Sequence, residues 1–265
     1  MTSEAGGKFG RGAGWKRVMA LTLGPGKTMG LSEDALDSGM RLFKKKHGRQ
    51  VKPMRQPSYW IIGGGRFGRL ACERLQIARP EAKFVVVDHR EINVFSGIER
   101  VTADAVGFLT TNMQPDSATW IVPAIPIHLA YEWIVARLRH ECHLQPRAVP
   151  MGLVPLLPNA CVGPNGQVYL SNADFRCPDD CPEPANLCLQ TGKPRPRIMH
   201  TFLASLAYAE YQSLVVRSHQ LAPGVGGYQA TTLFEGLDRL QRQTGRFLFS
   251  TACKCHAVMH AFSLD

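Results

Sequence analysis

The chain has 265 residues, 45% of them hydrophobic, with 25 Gly and 18 Pro, the composition of an ordinary α/β protein rich in turns. Its net charge of +10 invites a nucleic-acid partner, but residues 1–56 hold 12 Lys and Arg against 4 Asp and Glu, so +8 of it lies in an N-terminal leader and nucleic acid is not expected. No membrane span is expected either: the most apolar window, 120–136, carries two prolines, His128 and Glu132 and is shorter than the roughly 20 residues a spanning helix needs.

Residues 1–56, rich in Gly, Lys and Arg, read as a basic, disordered leader with room for one short amphipathic helix over 32–46. Met54 is a natural alternative start, four residues before the first strand. From Ser58 the pattern turns regular. Tyr59-Trp60-Ile61-Ile62 is a short apolar strand running into Gly63-Gly64-Gly65. Arg66–Ala78 has helical periodicity, with Phe67, Leu70, Ala71, Leu75 and Ala78 on one face. Lys83–Asp88 is too apolar for a half-exposed strand and reads as buried. A third strand over 98–102, a helix over 105–113, a fourth strand over 118–123, a helix over 127–139 and a fifth strand over 147–150 follow. Strand alternating with helix predicts parallel strands and a Rossmann-like sheet with helices on both faces. A dinucleotide-binding domain is thus expected over 57–150.

The rhythm breaks over 151–198, which holds eight prolines and four cysteines. So long an irregular segment is uncommon unless it is functional or held by something other than a core. A further unit of strand 213–217, Gly-rich turn 224–227, helix 231–244 and strand 246–250 follows a helix near 200–209. Residues 151–265 are expected to pack on the sheet or extend it.

Gly63, Gly65 and Gly68 form a GxGxxG between strand and helix, and Asp88 lies 20 residues beyond Gly68 at the tip of the next strand. In that context the first glycine permits the tight turn and the second lets backbone approach a pyrophosphate. The third lets helix and strand pack closely, and the helix N-terminus faces the phosphates. Asp88 is placed to accept hydrogen bonds from ribose hydroxyls and to repel a 2′-phosphate, favouring NAD; Arg90 leaves NADP open. The residues Ile61 to Arg69 (IIGGGRFGR), Val87-Asp88 and Ala103-Asp104-Ala105 resemble the NAD-binding domain of potassium-uptake regulators, the TrkA-N or RCK type, over about 58–135. The resemblance implies cofactor contacts from Gly63, Gly65, Arg66, Phe67, Gly68 and Asp88, and identifies a cofactor class rather than a reaction.

Eight cysteines are present. An even count suggests disulfides only in a small secreted chain, and the N-terminus has no continuous apolar core of a secretory signal. The expected compartment is the reducing cytoplasm, where grouped cysteines are more often metal ligands or redox groups. Cys177, Cys181 and Cys188 occur as C-x3-C-x6-C; Cys253 and Cys255 flank Lys254 just before His256. This spacing matches neither a zinc ribbon nor the common ferredoxins. It allows an iron–sulfur cluster, a zinc site, a redox dithiol or unligated thiols, the fourth ligand coming from Cys253 or Cys255. Cys72, Cys142 and Cys161 read as packing. If strand 246–250 extends the main sheet in parallel, the cysteines reach the edge where the nicotinamide lies. His219 and the glycines of 224–227 offer a second anion nest or a plain turn.

The sequence thus predicts an NAD-binding redox protein with a cysteine-ligated iron–sulfur or metal site, its substrate and catalytic residues unassigned. The alternative is a non-catalytic NAD-sensing regulatory subunit with structural zinc. A redox partner protein is expected, and a homodimer is compatible.

Overall fold

A computed structural model describes residues 56–92, 96–139 and 141–265. The chain divides into Met1–Pro53 and Met54–Asp265, and every described residue belongs to the second, compact unit. The expected leader, Gln56 apart, and its helix over 32–46 lie outside the described residues.

The first half alternates as read: β1 (Ser58–Ile62), α1 (Arg66–Ala78), β2 (Lys83–Asp88), β3 (Glu99–Thr102), α2 (Ala105–Asn112), β4 (Thr119–Pro123) and α3 (Leu129–Leu138). The strands lie in the order β3-β2-β1-β4 and all run parallel, with Trp60 opposite both Val85 and Ile121. Beyond β4 the expected all-parallel sheet does not hold. A hairpin of β9 (His219–Ala222) and β10 (Val225–Gln229) completes the sheet, β10 antiparallel to β4 with Tyr228 opposite Ile121. The expected Gly-rich turn therefore contributes a strand.

The remaining strands build a second sheet: β5 (Leu144–Arg147), β6 (Cys161–Val162), β7 (Val168–Ser171), β8 (Tyr211–Arg217), β11 (Gly245–Ala252) and β12 (His256–Leu264). Its order is β6-β7-β12-β11-β8, with β5 also on β12; of these pairings only β8 with β11 is parallel. Two expectations are corrected. The fifth strand lies slightly earlier than 147–150 and belongs to this sheet, and strand 246–250 does not extend the first sheet. The physical reason is two-sided burial. Phe247, Phe249 and Phe262 face one core while Leu248, Met259 and Ala261 face another, so the β11–β12 ribbon forms the centre of its own sheet.

The layers follow from three cores. The α1 residues Ala71, Cys72 and Leu75 cover one face of the first sheet against Tyr59, Ile61, Phe84 and Val86. Helix α3 and α5 (Ala230–Gln241) lie between the two sheets, Trp133, Ile134, Leu233 and Leu237 packing on Ile62, Val87, Leu214 and Phe249. On the outer face of the second sheet, Leu153, Leu157 and the short α4 (Met199–Ala204) pack on Leu248 and Met259. Phe67 does not join the α1 core as its periodicity suggested and is exposed in the first turn of the helix. Cys72 packs as expected, whereas Cys161 is exposed on β6. Among the described residues, no helix is long and apolar enough to cross a membrane.

Candidate functional site

The turn from β1 into α1 needs its glycines for three different reasons. Gly63 has φ +109°, and a Cβ there would meet Ile125 Cγ2 at 2.6 Å and Ala124 O at 2.7 Å. At Gly68 a Cβ would stand 2.9 Å from the Gly63 carbonyl carbon and closer still to its oxygen, so the helix sits on the strand only because nothing projects. At Gly65 a Cβ would meet nothing within 4 Å. Its missing side chain faces open space, the one place of the three where a ligand can approach the backbone. Asp88, at the tip of β2, is buried. Its Oδ2 accepts from Gly64 N (2.8 Å) and its Oδ1 from Arg90 N (3.0 Å), while His89 Nδ1 lies 3.1 Å away. Burial alone would raise this carboxyl. The two amides and the His89 and Arg90 charges outweigh it, holding Asp88 below the ordinary carboxylate value. Two amide bonds leave lone pairs on Asp88 for further donors.

The cysteine-bearing loop docks on this turn. Asp179, between Cys177 and Cys181, takes Arg66 Nη2 on its carboxylate (2.6 Å), and its carbonyl accepts from Arg74 Nη1 (2.7 Å). The Cys181 carbonyl accepts from Gly224 N (2.9 Å) in the β9–β10 turn and from Gln220 Nε2 (2.7 Å) on β9. Gly224 has φ +67°, and the space its Cβ would fill is taken by Asp179 O. The Gly-rich turn that offered an anion nest thus receives carbonyls of this chain. A cleft of about 150 Å³, lined by Phe67, Arg74, Pro123, Asp179 and Gly226, separates the loop from the end of β4. Further along, Glu183 is buried in a left-handed conformation (φ 47°). Its Oε1 accepts from Lys254 N (2.7 Å), tying the loop to the β11–β12 turn.

Of the five expected thiol ligands, Cys177, Cys188 and Cys255 line one pocket of about 70 Å³ together with Asn172, Phe175 and Arg195. Burial pushes the Cys177 thiol up, and the neighbouring Cys181, Cys188 and Cys255 push it further. Cys255 is also raised, by burial first, although Arg195 Nε donates to its sulfur at 2.9 Å. Cys188 is lowered, chiefly by bonds from Thr191. Cys253 stands apart from the pocket. Its sulfur accepts from the amides of Cys255 and His256 (both 3.3 Å), yet burial and the Glu183 carboxylate push it up to about 12. The thiols share a neighbourhood without closing on a point: among the described residues, no group of three or more His, Cys, Asp or Glu is arranged to hold a metal ion. The donor chemistry suits a thiophilic metal; the present arrangement does not enclose one.

Sequence reasoning, which treats His128 and His260 as separate histidines of structural type, did not bring together a second polar group. His128, after β4, meets His260 of β12 Nδ1 to Nδ1 at 2.9 Å and Thr251 Oγ1 at 2.8 Å, with Tyr131 stacked on His260 at 4.0 Å. One imidazole must donate and the other accept, so both cannot be cations. Burial drives His128 well below an ordinary histidine, helped by His260, and drives His260 to about 4. Asp179, Arg74, Arg195 and Glu183 were likewise not singled out. Only Asp179 carried a signal, its place inside the C-x3-C.

Residues 130–265 match the family AF_1314_C, described as an uncharacterized protein, C-terminal domain, and the chain belongs to that family. The match begins inside α3 and takes in the whole second sheet, the cysteine loop and the β9–β10 hairpin, but not the glycine turn. No curated protein and no solved structure matches the chain.

Proposed function

We propose that this member of the AF_1314_C family binds a dinucleotide at the β1–α1 turn, NAD(H) in preference to NADP(H), and sets a cysteine-ligated redox centre beside it. The observation that carries the reading is the docking of the cysteine loop on the glycine turn through Asp179, Arg66 and Arg74. The expected route to that proximity, a parallel extension of the sheet, fails; the loop reaches the same edge over the β9–β10 hairpin.

The parallel order β3-β2-β1-β4 supports a Rossmann-like unit, whose dinucleotide lies beyond the strand C-termini where the order reverses, between β1 and β4. The residues fit the group. Gly65 leaves backbone open to phosphate, Gly63 and Gly68 make the turn, and Asp88 keeps acceptors for ribose hydroxyls while repelling a 2′-phosphate. Arg66 and the exposed Phe67 flank the phosphate and cleft sides. When bound, the nicotinamide would supply two-electron hydride chemistry.

Cys177, Cys181, Cys188 and Cys255 are the ligand set we favour for an iron–sulfur cluster or other metal. Cys253 is left out because it is engaged with Glu183, whereas the charge of Cys181, which like Cys253 does not line the pocket, reaches both Cys177 and Cys255. Cys177 and Cys255, both raised and by burial first, are poor nucleophiles at neutral pH, which disfavours a free redox dithiol built on them. A bound cation would draw the same thiols together and displace their protons. Anaerobic purification, elemental analysis and an absorption spectrum test this. About one metal site per chain is expected, lost in Cys255→Ser and Cys181→Ser and kept in Cys253→Ser. Zinc without iron would favour the NAD-sensing alternative. Protein with neither metal, and with Cys177, Cys181 and Cys188 freely alkylated, would sink the metal site.

A further inference from the structure

We infer that Asp179 is an internal competitor for the dinucleotide's phosphates, so that cofactor binding and loosening of the cysteine loop are one linked equilibrium; this rests on the dinucleotide reading above.

Arg66 is the first residue of α1 and follows Gly65, whose open side faces the space a phosphate would enter. That end of the helix concentrates unpaired amides and the positive end of the helix dipole, and it attracts an anion. The protein supplies one: the Asp179 carboxylate, reaching in from 113 residues away to pair with Arg66 at 2.6 Å. A pyrophosphate at Gly65 brings like charge to the same guanidinium. Arg66 can serve one anion well, and the two anions repel. The other contacts of the loop are of a different kind. Arg74 and Gly224 hold the carbonyls of Asp179 and Cys181, which a phosphate does not mimic or repel. The carboxylate is therefore the exchangeable contact, and the carbonyl contacts keep the loop near when it lets go.

Coupling of this kind is reciprocal. If cofactor binding weakens the hold on Cys177 and Cys181, then whatever tightens that loop, such as metal drawn between its thiols, weakens cofactor binding by the same factor. The size is set by exposure. The Arg66 and Asp179 side chains are 67% and 33% exposed, so the pair is screened and the factor is modest, about two- to fivefold.

The experiment compares the full chain with its Asp179→Asn variant, which keeps the carbonyl contacts. NADH affinity is measured by calorimetry, and iodoacetamide labelling of Cys177 and Cys181 is followed by mass spectrometry with and without saturating NADH. Expected are two- to fivefold tighter NADH binding by the variant, faster labelling with NADH in the parent, and no NADH effect on labelling in the variant. Equal NADH affinity in both proteins, or NADH protecting these thiols in the parent, overturns the competition while leaving the dinucleotide reading intact. Binding of NADH by neither protein removes the dinucleotide reading, and the competition with it.

Discussion

The three glycines of the β1–α1 turn offer a test in which stability and binding separate. In Gly68→Ala the new methyl lies 2.9 Å from the Gly63 carbonyl carbon and inside the contact distance of its oxygen. The obstacle is backbone, so it cannot rotate away. Helix α1 must back off the strand, loosening Ala71, Cys72 and Leu75 from Tyr59 and Ile61. Overpacking of this kind costs about 1–3 kcal/mol, and a rigid obstacle puts it near the top. At about 2–4 °C per kcal/mol for a unit of this size, the melting temperature should fall by roughly 6–12 °C. In Gly65→Ala the methyl meets nothing within 4 Å, and the backbone there (φ −70°, ψ −163°) suits alanine. Its cost should stay within about 1 kcal/mol, the loss of a weak N-cap. The methyl nevertheless projects where a pyrophosphate has to approach, so NADH affinity should fall about tenfold or more, equivalent to roughly 1.4 kcal/mol. Circular-dichroism melts and NADH calorimetry on both variants decide it. A Gly65→Ala protein that folds normally and binds NADH as tightly as the parent refutes the placement of phosphate at Gly65.

Asp88→Ala should destabilise by about 1–3 kcal/mol, because the Gly64 amide loses its buried acceptor, and should narrow the preference for NAD(H) over NADP(H) in parallel titrations. With its folded value lowered, Asp88 contributes stability that is complete above the unfolded carboxyl value near 4 and is lost as pH falls through the folded value; acid melts of the Ala variant should lack that component. The His128–His260 pair acts in a different window. Both folded values are depressed, so the unfolded chain takes up protons first, and stability should decline from about pH 6.5 towards 4, read as a falling melting temperature. His128→Asn with His260→Phe should flatten that slope, leaving a remainder from His200, His219 and His256, which are also lowered by burial; an unchanged slope would exclude the pair as its source. Deleting residues 1–53 should leave the melting temperature and NADH affinity of the remaining chain unchanged, and a large drop in melting temperature would show that the leader contributes to folding.

The parallel part of the first sheet, β1 to β4, was legible because its signals are local, whereas the β9–β10 hairpin that completes the sheet was not. KFVVVD is too apolar for anything but a buried strand, and a glycine turn between strand and helix fixes the geometry of both. Sheet membership is not local. A strand such as RFLFS, apolar on both faces, declares that it is covered on two sides but not by which sheet, and its partners Tyr211–Arg217 and His256–Leu264 were one known and one unrecognised. The second of these mixes His, Ala and Ser between its large apolar residues, which hides a strand that is buried along most of its length. The contacts that bring the cysteine loop to the glycine turn join residues more than a hundred positions apart, and no spacing rule reaches that far.

The structure also narrows the argument for a metal. The irregular segment 151–198 is expected to be functional or held by something other than a core, yet its first part has a core: Leu153, Leu157, Val168 and Leu170 are buried, and β6 and β7 form a hairpin. Between Leu170 and Met199 no hydrophobic side chain is buried. Ordering each residue there costs about 1–2 kcal/mol of backbone entropy. The offsets visible are hydrogen bonds, such as Asn172 Nδ2 to Arg197 O and Cys188 N to Lys193 O, and each nets only about 1 kcal/mol. The stretch left without a core is also the stretch that carries Cys177, Cys181 and Cys188, and Cys255 faces it across the pocket they share. A thiolate-bound metal can contribute on the order of 10 kcal/mol towards that cost. Metal removal should therefore loosen residues 172–198 while leaving the β6–β7 hairpin protected, a pattern hydrogen exchange can resolve. Uniform protection across both parts after chelation would mean that the hydrogen bonds alone suffice.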